Sequence, residues 1–309
     1  MNQEEKIEAV EKMQNFIENN LERKISLNDL ARFAGYSPWH SARIFKEMTG
    51  YAPFEYIRAL RLSRAALQLR DEKSKIVDVA LDFVFDSHEG FSRAFSRRFG
   101  ISPREYRRDT PAIQLFLPYR VRAHHSFLKR GGYEKMLTEK TEKNLQTIFT
   151  QVIERPQRKL LLKRGVKAKD YFAYCEETGC DEVWALLTSI KEALYEPLGL
   201  WLPSKLIKPG TSRYVQGVEL SADYGKTIPE GYELLDLEPC KMMIFQGEPY
   251  PEDEESFYEK IAEVQEAMER FDPKLYGFSW ADEEAPRFQL MPLGYRGYIE
   301  ARPVRELNK

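Results

Sequence analysis

The stretch Arg43-Ile44-Phe45-Lys46-Glu47-Met48-Thr49-Gly50-Tyr51-Ala52-Pro53-Phe54-Glu55-Tyr56 returns fifty residues later as Arg93-Ala94-Phe95-Ser96-Arg97-Arg98-Phe99-Gly100-Ile101-Ser102-Pro103-Arg104-Glu105-Tyr106. Six positions are identical: Arg43, Phe45, Gly50, Pro53, Glu55 and Tyr56 match Arg93, Phe95, Gly100, Pro103, Glu105 and Tyr106. An internal repeat fixes architecture before any other signal. Upstream, Asp29-Leu30-Ala31 is echoed by Asp78-Val79-Ala80, one residue out of step. That shift predicts one extra residue in the second copy's turn.

Each copy predicts helix, turn, helix. In the first, Ser26 is an N-cap with Asp29 three residues on, and a short helix covers Leu27 to Phe33. Gly35 supplies the turn. Ser37 caps the next helix and Pro38 takes its first position, where a missing N–H costs nothing. That helix runs to about Met48 and Gly50 stops it. Ser41, Ile44, Phe45 and Met48 form its core stripe; Trp39, Ala42, Arg43 and Lys46 lie opposite. The second copy predicts a helix from Ile76 to Phe83, then one capped by Ser87 or Asp86 and stopped at Gly100. Phe91, Ala94, Phe95 and Phe99 are its core stripe, opposite His88, Glu89, Ser92, Arg93, Ser96 and Arg97. Between the units, Pro53 to Arg70 reads as an amphipathic helix of roughly 27 Å at 1.5 Å per residue. This approaches the ~34 Å turn of DNA that separates successive major-groove segments.

These residues resemble the DNA-binding domain of AraC/XylS-type regulators. The runs that carry the resemblance are Leu27-Asn28-Asp29-Leu30-Ala31, Gly35-Tyr36-Ser37-Pro38-Trp39-His40, Arg43-Ile44-Phe45-Lys46, Gly50-Tyr51-Ala52-Pro53, Phe91-Ser92-Arg93-Ala94-Phe95 and Phe99 to Arg107. The resemblance covers nearly all of residues 1–108. It implies that the second helix of each unit reads bases in double-stranded DNA. By position this nominates Trp39, His40, Ala42 and Arg43, then His88, Glu89, Ser92 and Arg93. The chemistry fits: Arg43 and Arg93 can each offer two donors to guanine N7 and O6, and Glu89 can accept from cytosine N4. Arg97, Arg98, Arg104 and Lys46 are candidates for phosphate contact.

The charge is uneven. Residues 1–108 hold 19 Lys and Arg against 16 acids, a net of +3, whereas residues 151–309 hold 21 against 29, a net of −8. The asymmetry suits one half that meets DNA and one that avoids it. No apolar run approaches the ~20 residues of a membrane span. The acidic start, Met1 to Lys12, lacks the pattern of a signal peptide. The expected place is the cytoplasm, without membrane contact. Cys175, Cys180 and Cys240 are odd in number and lack metal spacing, so they read as inert thiols. Residues 109–146 read as a linker, broken at Thr110-Pro111, with extended Phe116-Leu117-Pro118-Tyr119 and a Gly131-Gly132 joint. His124-His125 reads as a solvated pair. No metal or cofactor is expected.

From residue 147 to 309 the texture is α+β. Lys159–Leu162 predicts a strand, Asp181–Tyr195 a helix, and Ser212–Leu220 and Tyr232–Leu237 two strands. The order then recurs as strand Lys241–Gln246, helix Ser256–Phe271, and strands Phe288–Met291 and Tyr295–Val304. The fold class is therefore multidomain: an all-α double helix-turn-helix domain followed by an α+β domain of duplicated βαββ. Such duplication leaves a cleft of the kind that binds small molecules. This domain resembles the GyrI-like effector-binding domain of multidrug-sensing regulators, through Gly217-Val218-Glu219, Gly231-Tyr232, Leu237-Glu238-Pro239, Phe245-Gln246-Gly247 and Tyr298 to Val304. The resemblance implies a pocket for bulky apolar, often cationic, effectors and a buried acid on the strand after the second helix. That strand carries Gln289 and no acid, so Glu300 and Glu219 stand as substitutes. Tyr171, Tyr174, Trp201, Tyr214, Trp280 and Tyr298 are the aromatic candidates, since ring faces attract cations.

The expected function is a one-component, sequence-specific regulator, not an enzyme. Its second domain senses a small molecule and alters engagement with DNA or RNA polymerase. The alternatives are a protein-partner module with a closed cleft, and a catalytic domain using Cys175 among Tyr174, Glu176, Glu177 and Cys180.

Overall fold

A computed structural model describes residues 2–72, 74–118, 121, 148–251 and 254–307. Tyr119, the His124-His125 pair and the Gly131-Gly132 joint lie outside the described residues. There are two compact units, one formed by the N-terminal helices with the residues that follow, the other by residues 148–307 apart from Ser189–Lys191.

The first unit contains α1 (Gln3–Glu18), α2 (Leu27–Ala34), α3 (Pro38–Thr49), α4 (Pro53–Asp71), α5 (Ile76–Asp82), α6 (His88–Phe99) and α7 (Pro103–Asp109). Reciprocal capping boxes start α1, α2 and α7, at Asn2/Glu5, Ser26/Asp29 and Ser102/Glu105; each satisfies two otherwise unpaired donors. Serine caps α3 at Ser37 and α6 at Ser87. Both end on left-handed glycines, Gly50 and Gly100, where any other residue is strained. The α2–α3 turn uses Gly35 at φ 75, and its counterpart in the α5–α6 turn is Val84 at φ 60. Those two are 49 apart while the caps Ser37 and Ser87 are 50 apart, so the extra residue falls between Val84 and Ser87.

Helix α1 lies outside the repeat and was not read from the sequence. Its Ile7, Val10, Met13 and Ile17 are buried with Leu30, Ile44, Phe45, Tyr56, Ile57 and Leu60. The same core takes in Phe116 and Val121, from the stretch assigned above to a linker. Phe116 sets its ring edge-on to Tyr51 and Tyr56 at 5.1 and 5.2 Å. Its N–H donates to Ser63 Oγ at 2.7 Å, and that of Val121 to Gln14 Oε1 at 3.2 Å. The helical unit therefore does not close at residue 108. Around α5 to α7 the core is aromatic: Phe91, Phe95 and Tyr106 are buried in one chain of ring contacts.

Among the described residues, the second unit is a nine-stranded sheet in the order β1-β6-β9-β8-β3-β4-β2-β5, with β7 on β9. The strands are β1 (Phe149–Arg155), β2 (Arg158–Arg164), β3 (Leu198–Trp201), β4 (Tyr214–Ser221), β5 (Glu233–Leu237), β6 (Cys240–Gln246), β7 (Phe278–Trp280), β8 (Arg287–Gln289) and β9 (Ile299–Glu306). Its helices are α8 (Tyr171–Thr178), α9 (Cys180–Ser189) and α10 (Glu254–Arg270). The duplication is present, with one strand reassigned. The first half is β2, α8–α9, β3, β4, and the second is β6, α10, β8, β9. Strand β3, four residues long, was missed, and β5 took its place in the sequence reading. The helix read as Asp181–Tyr195 starts at Cys180 and ends at Ser189, and a second helix, Tyr171–Thr178, precedes it across Gly179, with φ 71. Side chains alternate across the sheet as strand geometry requires. Met243 and Phe245 meet Ile261, Val264 and Met268 of α10. Met242 and Ile244 meet Leu160, Leu162, Leu200 and Phe288 on the other face. The halves join at β3 and β8, antiparallel, with Gly199 opposite Gln289 and Trp201 opposite Arg287. No helix among the described residues is long and apolar enough to cross a membrane.

Candidate functional site

On α3, Ser41, Ile44, Phe45 and Thr49 are buried, which turns Trp39 and Arg43 outward. Trp39 is 72% exposed. Arg43 lays its guanidinium over the Trp39 ring at 5.4 Å and meets His40 Nδ1 at 3.3 Å. The three side chains form one polar and aromatic tip, beside half-buried Ala42. On α6, Phe91, Ala94 and Phe95 face the core. His88, Glu89 and Arg93 are exposed and Ser92 is half-buried beside them. Both faces begin at a serine cap, so the helix N-terminus points free N–H groups and a positive dipole end the same way, suited to phosphate. Lys46, Arg97, Arg98 and Arg104 are exposed as well.

In the second unit, seven of the nine nominated ligand residues converge. The register places Tyr214 beside Trp201 on β4 and β3, Trp201 beside Arg287, and Gln289 beside Glu300. Alternation puts all of them on the helix-bearing face. Gln289 is the hub: its amide donates to Tyr214 Oη at 3.0 Å, and its carbonyl accepts from Tyr298 Oη at 2.9 Å. Glu300 is fully buried; its Oε2 accepts from Gln265 of α10 at 3.2 Å and lies 2.9 Å from Tyr298 Oη, sharing that phenol's one proton with Gln289. Its Oε1 forms an ion pair with Arg287, whose guanidinium sits 4.9 Å above the Trp201 ring. Tyr214 touches Trp201 and Tyr174 ring to ring, at 5.1 and 5.6 Å. Burial pushes the Tyr171 phenol up to about 12 and that of Tyr214 well above its usual range, so both stay protonated. Gly199 allows the close approach, because a Cβ there would collide with the Tyr214 hydroxyl. Phe172 of α8 and Tyr258 of α10 reach each other over this floor at 6.1 Å.

A family model described as a helix-turn-helix domain matches residues 30–109. The Tn10 TetD protein of Escherichia coli is 44% identical over 94 residues, which are 30% of this chain and 68% of that protein. The chain belongs to the AraC family of helix-turn-helix regulators. Transcriptional regulator Rob of Salmonella typhimurium is 45% identical over 95 residues, 31% of this chain and 33% of Rob. The chain thus spans about a third of the length of Rob. A crystal structure of an AraC-type regulator from Chromobacterium violaceum has 33% identity, covers 32% of this chain and 89% of its own, and gives a TM-score of 0.31. The helix-turn-helix match ends at residue 109, before the second unit begins.

Two nominated residues lie elsewhere. Glu219 is buried on β4 and ion-paired with Arg158 at 2.7 Å and Arg155 at 3.1 Å. Trp280 packs near Phe245 and Phe271 and under Arg302, whose guanidinium is 4.2 Å from the ring. The charge expectation also changes. Glu300 and Glu219 each carry an arginine partner, so neither offers uncompensated charge to a cation. Cys175 and Cys180 are not thiols: they form a disulfide across the α8–α9 hinge, with Cα atoms 4.6 Å apart. The sequence reading treated five-residue spacing as unpaired, but the hinge at Gly179 folds one helix end onto the next start. A catalytic Cys175 nucleophile is thereby removed. Sequence reasoning also missed Arg287, Gly199 and Gln265. Arg287 was within reach, since period two puts it on the same face as Gln289.

Proposed function

We propose that this chain is a sequence-specific, DNA-binding transcription regulator. Helices α3 and α6 read two major-groove segments of double-stranded DNA, and the second unit responds to a small aromatic effector on its Gln289-centred face. The observation that carries the DNA reading is the pairing of exposed tips, Trp39-His40-Arg43 and His88-Glu89-Arg93, each opposite a buried stripe at the same place in the repeat. Such a regulator acts where DNA and RNA polymerase are, in the cytoplasm. The effector reading is supported by the duplicated half-units, by the GyrI-like runs, and by buried aromatic and amide groups meeting where the halves join. The test is duplex binding by the full chain across a salt series. Affinity should fall with a log–log slope of about 0.9 per neutralised phosphate. Replacing Trp39, Arg43 and Arg93 together by alanine should abolish sequence preference. Salt-indifferent binding, or preference that survives the triple substitution, would sink the reading. If effector candidates fail to bind and other proteins are captured on this face, the second unit is a partner module.

A further inference from the structure

Resting on the effector reading above, we infer that the Gln289-centred face of the second unit is electrostatically self-neutralised by Arg287 and Glu300, and that it takes uncharged, hydrogen-bonding aromatic molecules rather than cations or anions. Arg287 and Glu300 pair with each other, and Gln289, Gln265, Tyr214 and Tyr298 around them are neutral. Glu300, fully buried, is held at both oxygens: Arg287 at Oε1, Tyr298 and Gln265 at Oε2. A cation could reach that carboxylate only by displacing Arg287, which would leave a guanidinium over the Trp201 ring without its carboxylate. An anion meets an arginine whose charge is already matched. Breaking a buried pair from either side leaves an uncompensated charge, which is costly. The second acid, Glu219, meets two guanidiniums, Arg155 and Arg158, so it has no negative charge to spare for a cation.

What remains for a ligand is aromatic surface and hydrogen bonding. Trp201, Tyr171 and Phe172 are half-buried around the floor. Gln216, opposite Gly199 on the same face, is fully buried; its Nε2 meets Cys180 Sγ at 3.3 Å, and its Oε1 has no donor among the described residues. An orphan buried acceptor calls for an O–H or N–H. A neutral phenol-like molecule supplies ring and donor together. Arg287 is then a specificity-determining residue: it occupies, as part of the protein, the place a ligand cation would take.

The experiment is calorimetry on the full chain with naphthol, naphthoate and naphthylmethylammonium, which share one ring system and differ in charge. The wild type should bind naphthol at least tenfold more tightly than either ion. Arg287→Gln should uncover Glu300 and raise affinity for the ammonium at least tenfold. Glu300→Gln should uncover Arg287 and do the same for naphthoate. The double variant Arg287→Gln/Glu300→Gln should restore the wild-type order; it also tests the inference if either single variant fails to fold. Wild-type preference for an ion, or a double variant that keeps a gained ion preference, overturns the inference while leaving effector binding intact. Absence of binding by all three probes to every variant overturns the effector reading with it.

Discussion

Replacing Gly199 by alanine should destabilise the second unit by roughly 2–3 kcal/mol. The added Cβ would run into the Tyr214 hydroxyl, with Tyr214 Cζ at 3.0 Å and Gln289 Cγ at 3.1 Å. Tyr214 is fully buried and touches Trp201 and Tyr174, so its ring has nowhere to retreat. Overpacking of this kind costs ~1–3 kcal/mol. Losing the Gln289–Tyr214 hydrogen bond adds ~0.5–1.5 kcal/mol. Against these stands a gain of about 0.5–1 kcal/mol, because alanine has less unfolded-state freedom than glycine. The balance leaves a folded protein, since domains hold ~5–15 kcal/mol in reserve. Urea unfolding followed by tryptophan emission measures it, in a Trp39→Phe background so that the remaining tryptophans report the second unit alone. Tyr214→Phe removes the colliding oxygen. In the Gly199→Ala background it should recover at least ~1 kcal/mol, a non-additivity expected of touching residues. A loss below ~0.5 kcal/mol, or strictly additive effects, would refute the close approach and with it the geometry of the cluster.

Val84→Gly should stabilise the first unit by about 0.5–1 kcal/mol. The left-handed backbone costs a β-branched residue ~1–2 kcal/mol, partly offset by glycine's entropy; scanning calorimetry reads the shift, and an unchanged or lowered transition refutes it. Reducing the Cys175–Cys180 bridge should lower the second transition by no more than ~2 kcal/mol, the loop-entropy figure for so short a ring; Cys175→Ser should reproduce the loss without reductant. Burial holds the phenols of Tyr106, Tyr171 and Tyr232 up to about 12. A folded pKa raised above the unfolded value near 10 gives stability that is full below pH ~10 and is lost as pH rises toward 12. Phenolate absorbance titration should therefore show these tyrosines ionising late, as the fold fails; early, reversible ionisation in the folded protein would contradict the burial.

The helical unit was legible because its repeat names the caps, stops and core stripes twice, and Ser37, Gly50, Ser87 and Gly100 act as those residue types must. Helix α1 was not, since nothing in Gln3–Glu18 repeats and its burial depends on partners distant in sequence. The same holds for Phe116, whose extended backbone finds its hydrogen bond on Ser63. In the second unit, period two recovered most strands, but Leu198–Trp201 is too short to show a period and gains its identity from pairing with β4 and β8. The cluster residues were found by type; their charge balance was not, because which arginine meets Glu300 is a matter of cross-strand register. Residue type suggested that Glu300 and Glu219 would draw cations, and register assigned each an arginine instead.

The central claim is that two reading helices in one chain specify two DNA segments, and selection of bound sequences from randomised duplexes by the full chain tests it most directly. The account predicts two preferred segments about one turn, ~10 base pairs, apart. Arg43→Ala should erase preference in one segment and Arg93→Ala in the other, each at ~1–3 kcal/mol of base discrimination. A single preferred segment, or substitutions that weaken binding evenly while leaving both preferences intact, would contradict it.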